Sequence, residues 1–301
     1  MKLPASIAGV VEVELFSSAS PSKHWLFIEV PHGATRKADY DAVAAKLKSP
    51  LPEQLEHFFF VNTDIGAPEG AQWLGRTLSA KGIHVVVARC LVPRTFIDPN
   101  RVVGAQKPGS VTEGMTPATA TYITHADDLA WLHEQHATYS AVAGELYQEV
   151  CRGAEGLALQ LHSYSPRSVG IEKVDASIVK ALHAAYEPDV YAKWPERPPV
   201  DLICATKDKS FKAAPKLVAA TLDAYRAAGI DAQENGTYHL HSVTMGMQWA
   251  VAYPDQVLCV ELNRGLVADP FVPFGVSPIS EEKVAKLVGP LAKVFEAALR
   301  G

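Results

Sequence analysis

The segment "WLFIEVPHGA" (residues 25–34) places a nearly continuous apolar run directly before Pro31, His32 and Gly33. Such a run is typical of a strand that is covered on both faces of a sheet. The proline is incompatible with a helix interior at this point, and a plain turn would not require the imidazole. We therefore treat the histidine at the end of this predicted strand as a candidate functional residue.

Further apolar runs of the same character occur at residues 10–16, 83–91, 156–162, 200–206 and 256–263. Helical patterns lie between them, at 37–48, 68–81, 126–151, 175–186, 212–228 and 280–300. This alternation predicts an α/β fold, a three-layer α/β/α sandwich with a mainly parallel or mixed sheet. Because no Pro/Ser linker or internal repeat interrupts the chain, we expect a single domain over residues 1–301.

The composition is that of an ordinary folded protein, with 48% hydrophobic and 20% charged residues. The net charge is -5 without long blocks of like charge, so neither nucleic acid nor an anionic membrane is an expected partner. The N-terminal segment lacks a signal-peptide core, and no apolar run is long enough to span a bilayer, which makes the cytoplasm the expected location. The four cysteines are widely spaced and indicate neither a disulfide framework nor a zinc knuckle.

Polar residues occur where the predicted strands end. In an open α/β sheet, ligands bind at the loops beyond the carboxyl ends of the strands, and the longest irregular stretches here are 98–125, 163–173 and 235–242. The chemically competent residues near these ends are His32, Asp64, Arg94, Asp98, Asn100, Arg101, His162 and Glu261.

Each of these residues also has a structural interpretation. A single histidine at a strand end is more often a hydrogen-bonded structural residue, but two histidines and a carboxylate leave one open position on a zinc ion, as catalytic sites do. Asp64 could instead cap the helix predicted near residue 68, and Arg94 and Arg101 could form surface ion pairs. Glu261 is harder to explain structurally, because a buried carboxylate must be paired, linked to a metal or held protonated.

The segments "VPHGA", "NTDIGA", "RTFIDPNR", "LQLHSYSP" and "VLCVELNR" occur in the order and approximate spacing found in N-formylglutamate amidohydrolases. Over most of its length the chain resembles that family, which is related to zinc carboxypeptidases and aspartoacylases. "IDPNR" together with "PHGA" is the most specific part of the resemblance. It implies a zinc-peptidase-like fold and a hydrolase that uses Zn²⁺.

The resemblance also implies roles for individual residues. His32 and His162 match the two metal-binding histidines, and Glu261 matches the glutamate that acts as the general base. The arginines and the Asn-Arg pair that hold the substrate carboxylate are matched by Arg94, Asn100 and Arg101, and we place Arg94 among the catalytic residues.

One departure from the related peptidases concerns the third metal ligand. Those enzymes carry a His-x-x-Glu zinc pair, whereas Thr35 stands three positions after His32. Asp64 is the expected replacement. We further expect His241 to contact the substrate.

Two other histidine patterns compete with this assignment. "HEQH" (133–136) is one residue short of the HExxH zinc motif, whose histidines must be four positions apart to share a helix face. We expect these residues near the surface, or His136 and Tyr139 lining the site. His239 and His241 of "HLH" would share one face of an extended segment and form the alternative metal pair.

The sequence contains no GxSxG, Walker or GxGxxG motif. It therefore lacks the motifs that indicate serine hydrolases, nucleotide hydrolases and dinucleotide enzymes.

The sequence thus predicts a zinc-dependent hydrolase of the amide bond in N-acyl (formyl-type) amino acids or small peptides that bear a free carboxylate. A carboxypeptidase-like metallopeptidase is the alternative enzyme. A non-catalytic carboxylate-binding protein with the same fold is the alternative outside the enzymes. The sequence gives no prediction of oligomeric state.

Overall fold

The computed structural model describes residues 2–105, 116–171 and 173–301. The irregular stretches predicted at 98–125 and 163–173 therefore lie partly outside the described residues. Strands are found at Val11–Phe16 (β1), Trp25–Val30 (β2), His84–Cys90 (β3), Gly156–Tyr164 (β4), Val200–Leu202 (β5), Ala232–Glu234 (β6) and Val257–Asn263 (β7). Helices are found at Lys37–Ala44 (α1), Leu55–Asn62 (α2), Ala67–Ser79 (α3), Ala126–Cys151 (α4), Ile178–Ala185 (α5), Pro188–Tyr191 (α6), Pro215–Ala227 (α7), Met245–Ala252 (α8) and Glu281–Arg300 (α9).

The seven strands form one mixed sheet in the order β1-β3-β2-β4-β7-β5-β6. The central strands β3, β2, β4 and β7 are parallel, whereas β1 runs antiparallel to β3 and β5 antiparallel to β7. Because the four central strands point the same way, their carboxyl ends meet at one edge of the sheet.

Helices cover both faces of the sheet, as the predicted three-layer fold requires. One face packs its aliphatic side chains against α3, α7 and α9. The opposite face packs against α4 and the aromatic residues of α2. The α/β/α fold class predicted from the sequence is confirmed.

The predicted strands are all present, although β5 ends at Leu202 rather than at residue 206. The edge strand β6 was not predicted, because its sequence "AQE" is exposed and carries no apolar signal. Helices α2, α6 and α8 were also missed. In α2, four apolar residues are buried on several sides of a two-turn helix, so the sequence shows an aromatic run instead of a helical period.

None of the helices in the described ranges combines the length and the apolar character that a membrane-spanning helix requires.

Candidate active site

The carboxyl ends of β2, β4 and β7 form the floor of the candidate site. His162 lies in β4, and the sheet register places it directly beside Glu261 of β7. His32 follows the last residue of β2 by two positions, on the other side of β4. The sheet thereby brings two imidazoles into contact although they are 130 positions apart in the chain.

Three candidate ligand atoms converge at this edge. The Nδ1 atoms of His32 and His162 lie 3.2 Å apart, and Asp64 Oδ2 lies 3.1 Å from the first and 3.0 Å from the second. A tetrahedral zinc ion with bonds of 2.0–2.1 Å separates its ligand atoms by about 3.3 Å. These separations fit one metal ion, and in the described part of the chain this is the one group of three His, Cys, Asp or Glu side chains that converges in this way.

The ligand atoms are shielded from solvent. The exposed fraction of each of the three side chains is at most 4%. Burial alone would raise the pKa of Asp64, but His32 and His162 outweigh this effect and hold that pKa below its ordinary value. The carboxylate is therefore ionised and available to a cation.

Asp98 orients the first histidine, a role that the sequence did not reveal. His32 Nε2 lies 2.8 Å from Asp98 Oδ1, which also accepts the backbone N–H of Asn100 at 2.9 Å. In the tautomer that donates from Nε2 to Asp98, the ring keeps its Nδ1 lone pair for the cluster. Metal-binding histidines commonly donate their second N–H to a carboxylate in this way. Burial favours a higher pKa for Asp98, but Arg94 and His32 hold it well below its ordinary value.

Asp64 reaches the cluster from the loop between α2 and α3. Helix α3 begins after Gly66, which is its N-cap residue, so the capping role considered for Asp64 is not the one that the structure shows. The Thr63 hydroxyl donates to Ala34 O at 2.7 Å, and the Ser163 hydroxyl donates to Ile65 O at 2.8 Å. These bonds tie the loop to the segment after β2 on one side and to β4 on the other.

Glu261 carries a buried carboxylate oxygen that accepts no hydrogen bond from the described residues. The residue is half-buried, and its Oε2 atom is shielded from solvent. Burial raises the pKa of Glu261 to about 7, and the neighbouring His162 acts in the opposite direction. The group can thus exchange a proton near neutral pH, which a general base requires.

A cavity of about 340 Å³ lies over these residues. Its described lining contains more positive than negative side chains: the arginines Arg94, Arg101, Arg167, Arg197 and Arg264 and the carboxylates Asp98 and Glu261. Such an excess of arginine favours an anionic ligand.

The predicted arginines have different surroundings. Arg94 donates to Asp98 Oδ2 at 2.9 Å, and its Nη1 lies 3.3 Å from His32 Nδ1, so it belongs to the cluster and not to a surface ion pair. Arg101 is 12% exposed, and its Nη1 lies 3.9 Å from Asp98 Oδ2. Its backbone carbonyl lies 2.8 Å from His136 Nε2, which anchors this part of the loop to α4.

Asn100 lies between the cluster and α8. Its Oδ1 accepts the backbone N–H of Gly246 at 2.9 Å, which turns Nδ2 toward His162 Nε2 at 3.4 Å, the outer limit of a hydrogen bond. The amide orientation is therefore set by α8, and Asn100 lines the cavity.

The two "HLH" histidines have different positions relative to the cavity. His239 lines the cavity, whereas His241 is not among the described lining residues. The Nδ1 atom of His241 accepts the backbone N–H of Val243 at 3.3 Å. These two histidines do not take part in the convergent three-ligand group.

Of the "HEQH" residues, His133 lies at the surface, whereas His136 supports the site. His133 Nε2 lies 3.1 Å from the Thr119 hydroxyl in an exposed contact. His136 holds the Arg101 carbonyl, and the Tyr139 hydroxyl donates to the buried Glu29 at 3.0 Å. Neither His136 nor Tyr139 is among the described residues that line the cavity.

No protein-family model matches the chain, and no curated protein matches it. The structure is similar to that of N-formylglutamate amidohydrolase from Ralstonia eutropha, with a TM-score of 0.51 and 17% sequence identity over 96% of each chain. It is also similar to a gene product from Agrobacterium tumefaciens, with a TM-score of 0.55 and 16% identity over 97% of this chain and 95% of that one. These likenesses confirm the fold that the sequence resemblance implied.

Proposed function

We propose that the chain is a zinc-dependent amidohydrolase of the N-formylglutamate amidohydrolase type. It would hydrolyse the amide bond of N-acyl amino acids or small peptides that carry a free carboxylate. The observation that carries this proposal is the convergence of His32 Nδ1, His162 Nδ1 and Asp64 Oδ2 beside Glu261, whose Oε2 atom has no hydrogen-bond partner among the described residues. The fold shared with an N-formylglutamate amidohydrolase supports it.

The residues present fit a catalytic zinc site. Two neutral imidazoles and one carboxylate are a common donor set for zinc, and they leave a coordination position open. When bound, the ion would lower the pKa of a water toward about 7 and polarise the amide carbonyl. His32, Asp64 and His162 would hold it, and Asp98 would keep His32 in the tautomer that presents Nδ1.

Glu261 is the proposed general base. Its carboxylate would take a proton from the attacking water and later deliver it to the nitrogen of the leaving amine, so that a carboxylate and an amine are released. The direct register with His162 keeps this carboxylate next to the ligand cluster. Its raised pKa suits a group that must both accept and release a proton.

The arginines are the proposed anion-binding groups. Arg94 lies within hydrogen-bonding distance of the cluster, where it would stabilise negative charge that develops on the amide oxygen. Arg101 would bind the substrate carboxylate with its planar guanidinium, and Asn100 Nδ2 would donate to the same group. His241 stays a proposed substrate contact, although His239, and not His241, is among the described residues that line the cavity.

Metal analysis followed by a substrate panel tests the proposal. We expect about one zinc ion per chain after metal-replete expression, as this donor set predicts. We also expect hydrolysis of N-acyl amino acids that is faster for free acids than for their amides. Absence of zinc would refute the metalloenzyme and favour a non-catalytic carboxylate-binding protein.

A carboxypeptidase-like peptidase is the second candidate, and one observation favours it. Beside the arginines, the cavity wall carries Val169, Ile171, Val174 and Tyr186, which would accept an apolar side chain. Dipeptides with a C-terminal apolar residue distinguish the two activities. Faster turnover of such dipeptides than of N-formyl amino acids would assign the peptidase function.

A further inference from the structure

The third candidate ligand comes from a loop, so its orientation depends on neighbouring side chains. We propose that Arg264 is a positioning residue that holds the Asp64 carboxylate and presents a single oxygen to the metal ion. This inference rests on the proposed metal site. It assigns a function to the last residue of "VLCVELNR", for which the sequence suggested none.

The two oxygens of Asp64 have different partners. Oδ2 faces both imidazoles and accepts the backbone N–H of Ser163 at 3.2 Å. Oδ1 lies 3.4 Å from Arg264 Nη2. Arg94 Nη1 is more distant from Oδ1, at 3.9 Å. Arg264 is thus the nearer cation to Oδ1, and Oδ2 is left for the cluster.

Arg264 is itself fixed on three sides. It begins the short 3-10 helix Arg264–Leu266 that follows β7, and its side chain is 4% exposed. Its Nη2 donates to Ser163 O at 3.1 Å, and its Nη1 donates to Val61 O. The guanidinium therefore links the end of α2, the loop that carries Asp64 and strand β4.

The burial of this arginine is costly, which indicates a role beyond stability. Its Nε atom has no hydrogen-bond partner among the described residues. Within the described chain, Asp64 is the one carboxylate that ion-pairs with it. A buried ion pair is often replaceable by apolar residues without loss of stability, so the pair is better explained by the orientation it imposes.

Charge and orientation make opposite predictions for the loss of Arg264. If the guanidinium acted only through its positive charge, its removal would strengthen the binding of a divalent cation. If it orients Asp64, its removal would weaken that binding, since mutation of groups that support metal ligands costs roughly 10- to 100-fold in affinity. The sign of the change therefore separates the two explanations.

The experiment measures zinc affinity without substrate. Metal-free wild type, Arg264→Met and Arg264→Lys would compete for Zn²⁺ with a chromophoric chelator, and circular dichroism would confirm folding. We expect affinity to fall by roughly 10- to 100-fold in Arg264→Met and by less in Arg264→Lys, which keeps a donor near Oδ1. The visible spectrum of bound Co²⁺ would report the altered coordination in Arg264→Met.

Asp128→Ala is the matched control. Asp128 lies in the first turn of α4 and is also a buried, charged residue. It accepts hydrogen bonds from Lys48 and Ser49, which do not belong to the cluster. Its loss should lower stability and leave zinc affinity unchanged.

Unchanged or tighter zinc binding by folded Arg264→Met would overturn the inference while the metal site survives. If Arg264→Met does not fold, Arg264→Lys decides, because binding equal to that of wild type would overturn the inference. A wild type that binds no zinc would remove both the proposed function and this inference. An equal loss of affinity in Asp128→Ala would show that Arg264 acts only through stability.

Discussion

The two faces of the central strands share one backbone but carry different chemistry. On the face toward α3, α7 and α9, strand β4 contributes Leu157, Leu159 and Leu161. On the face toward α4, the same strand contributes Ala158, Gln160 and His162, which become more polar toward the carboxyl end. Strand β7 repeats the pattern, with Val257, Cys259 and Glu261 in the corresponding positions. Stability and chemistry are thus separated by the alternation of side chains along a strand.

Loss of either proposed metal-binding histidine should have the largest effect of any substitution on the polar face. We expect His162→Ala, and likewise His32→Ala, to lose zinc and to reduce turnover to background, because two ligands hold the ion poorly. The fold should persist, since His162 lies two residues before the end of β4 and His32 two residues after the end of β2. Zinc content and circular dichroism measure the two effects, and full zinc occupancy in both variants would eliminate this site.

The matched change on the apolar face should lower stability and leave turnover unchanged. Leu159 is fully buried three positions before His162. Leu159→Ala should lower the free energy of unfolding by about 2–5 kcal/mol through lost burial and a cavity. Denaturant unfolding measures this loss. Turnover per folded chain should be unchanged, and a large fall in it would contradict the separation of the two faces.

Replacement of Glu261 tests the chemical step alone. Glu261→Gln keeps the shape but cannot accept a proton, so we expect turnover to fall by about 100-fold or more. Zinc content and KM should stay close to those of wild type. A variant that lost zinc would make Glu261 a ligand and Asp64 a bystander, whereas full turnover would rule out the proposed mechanism.

A charge-conserving change tests the rim of the site. Arg101→Lys retains the charge but loses the planar fork, and we expect a loss of about 1–3 kcal/mol in transition-state stabilisation for carboxylate substrates. The comparison of kcat/KM for a free acid and its amide measures this effect. If both substrates respond alike, Arg101 has a structural role.

The smallest effect concerns the stability of the metal-free protein as a function of pH. The folded-state pKa of Glu261 is raised from 4.5 to about 7, so the native state holds this proton more tightly than the unfolded state. The contribution of Glu261 to stability should therefore decrease as pH rises from 4.5 to 7. Glu261→Gln should lack this part of the decrease. If the free energies of unfolding of the two proteins changed equally with pH across that range, the assigned pKa would be contradicted.

The sequence predicted the parts of the molecule whose signal is local. The central strands are continuous apolar runs, and His32 and His162 stand at strand ends where the sheet brings them together. The edge strand β6 is exposed and polar, so nothing in its sequence distinguishes it from a loop. The aromatic residues of α2 pack on several sides and hide the helical period.

The remainder of the site depends on contacts between residues that are distant in sequence, which only the folded chain defines. Asp98 and Arg264 both lie in quoted motifs, but their partners His32 and Asp64 are distant in sequence. Likewise, the choice between His239 and His241 depends on the direction in which a loop turns, which a two-residue spacing does not reveal.

The direct register between His162 and Glu261 has a consequence for the evolution and engineering of the protein. Their separation is set by the distance between adjacent strands, about 4.8 Å, and not by the length of any loop. Insertions and deletions in the surrounding loops can therefore reshape the cavity without moving the proposed base, Glu261, relative to the candidate ligand, His162. Substrate preference can change independently of the catalytic spacing, which makes the loops the natural place to diversify a library.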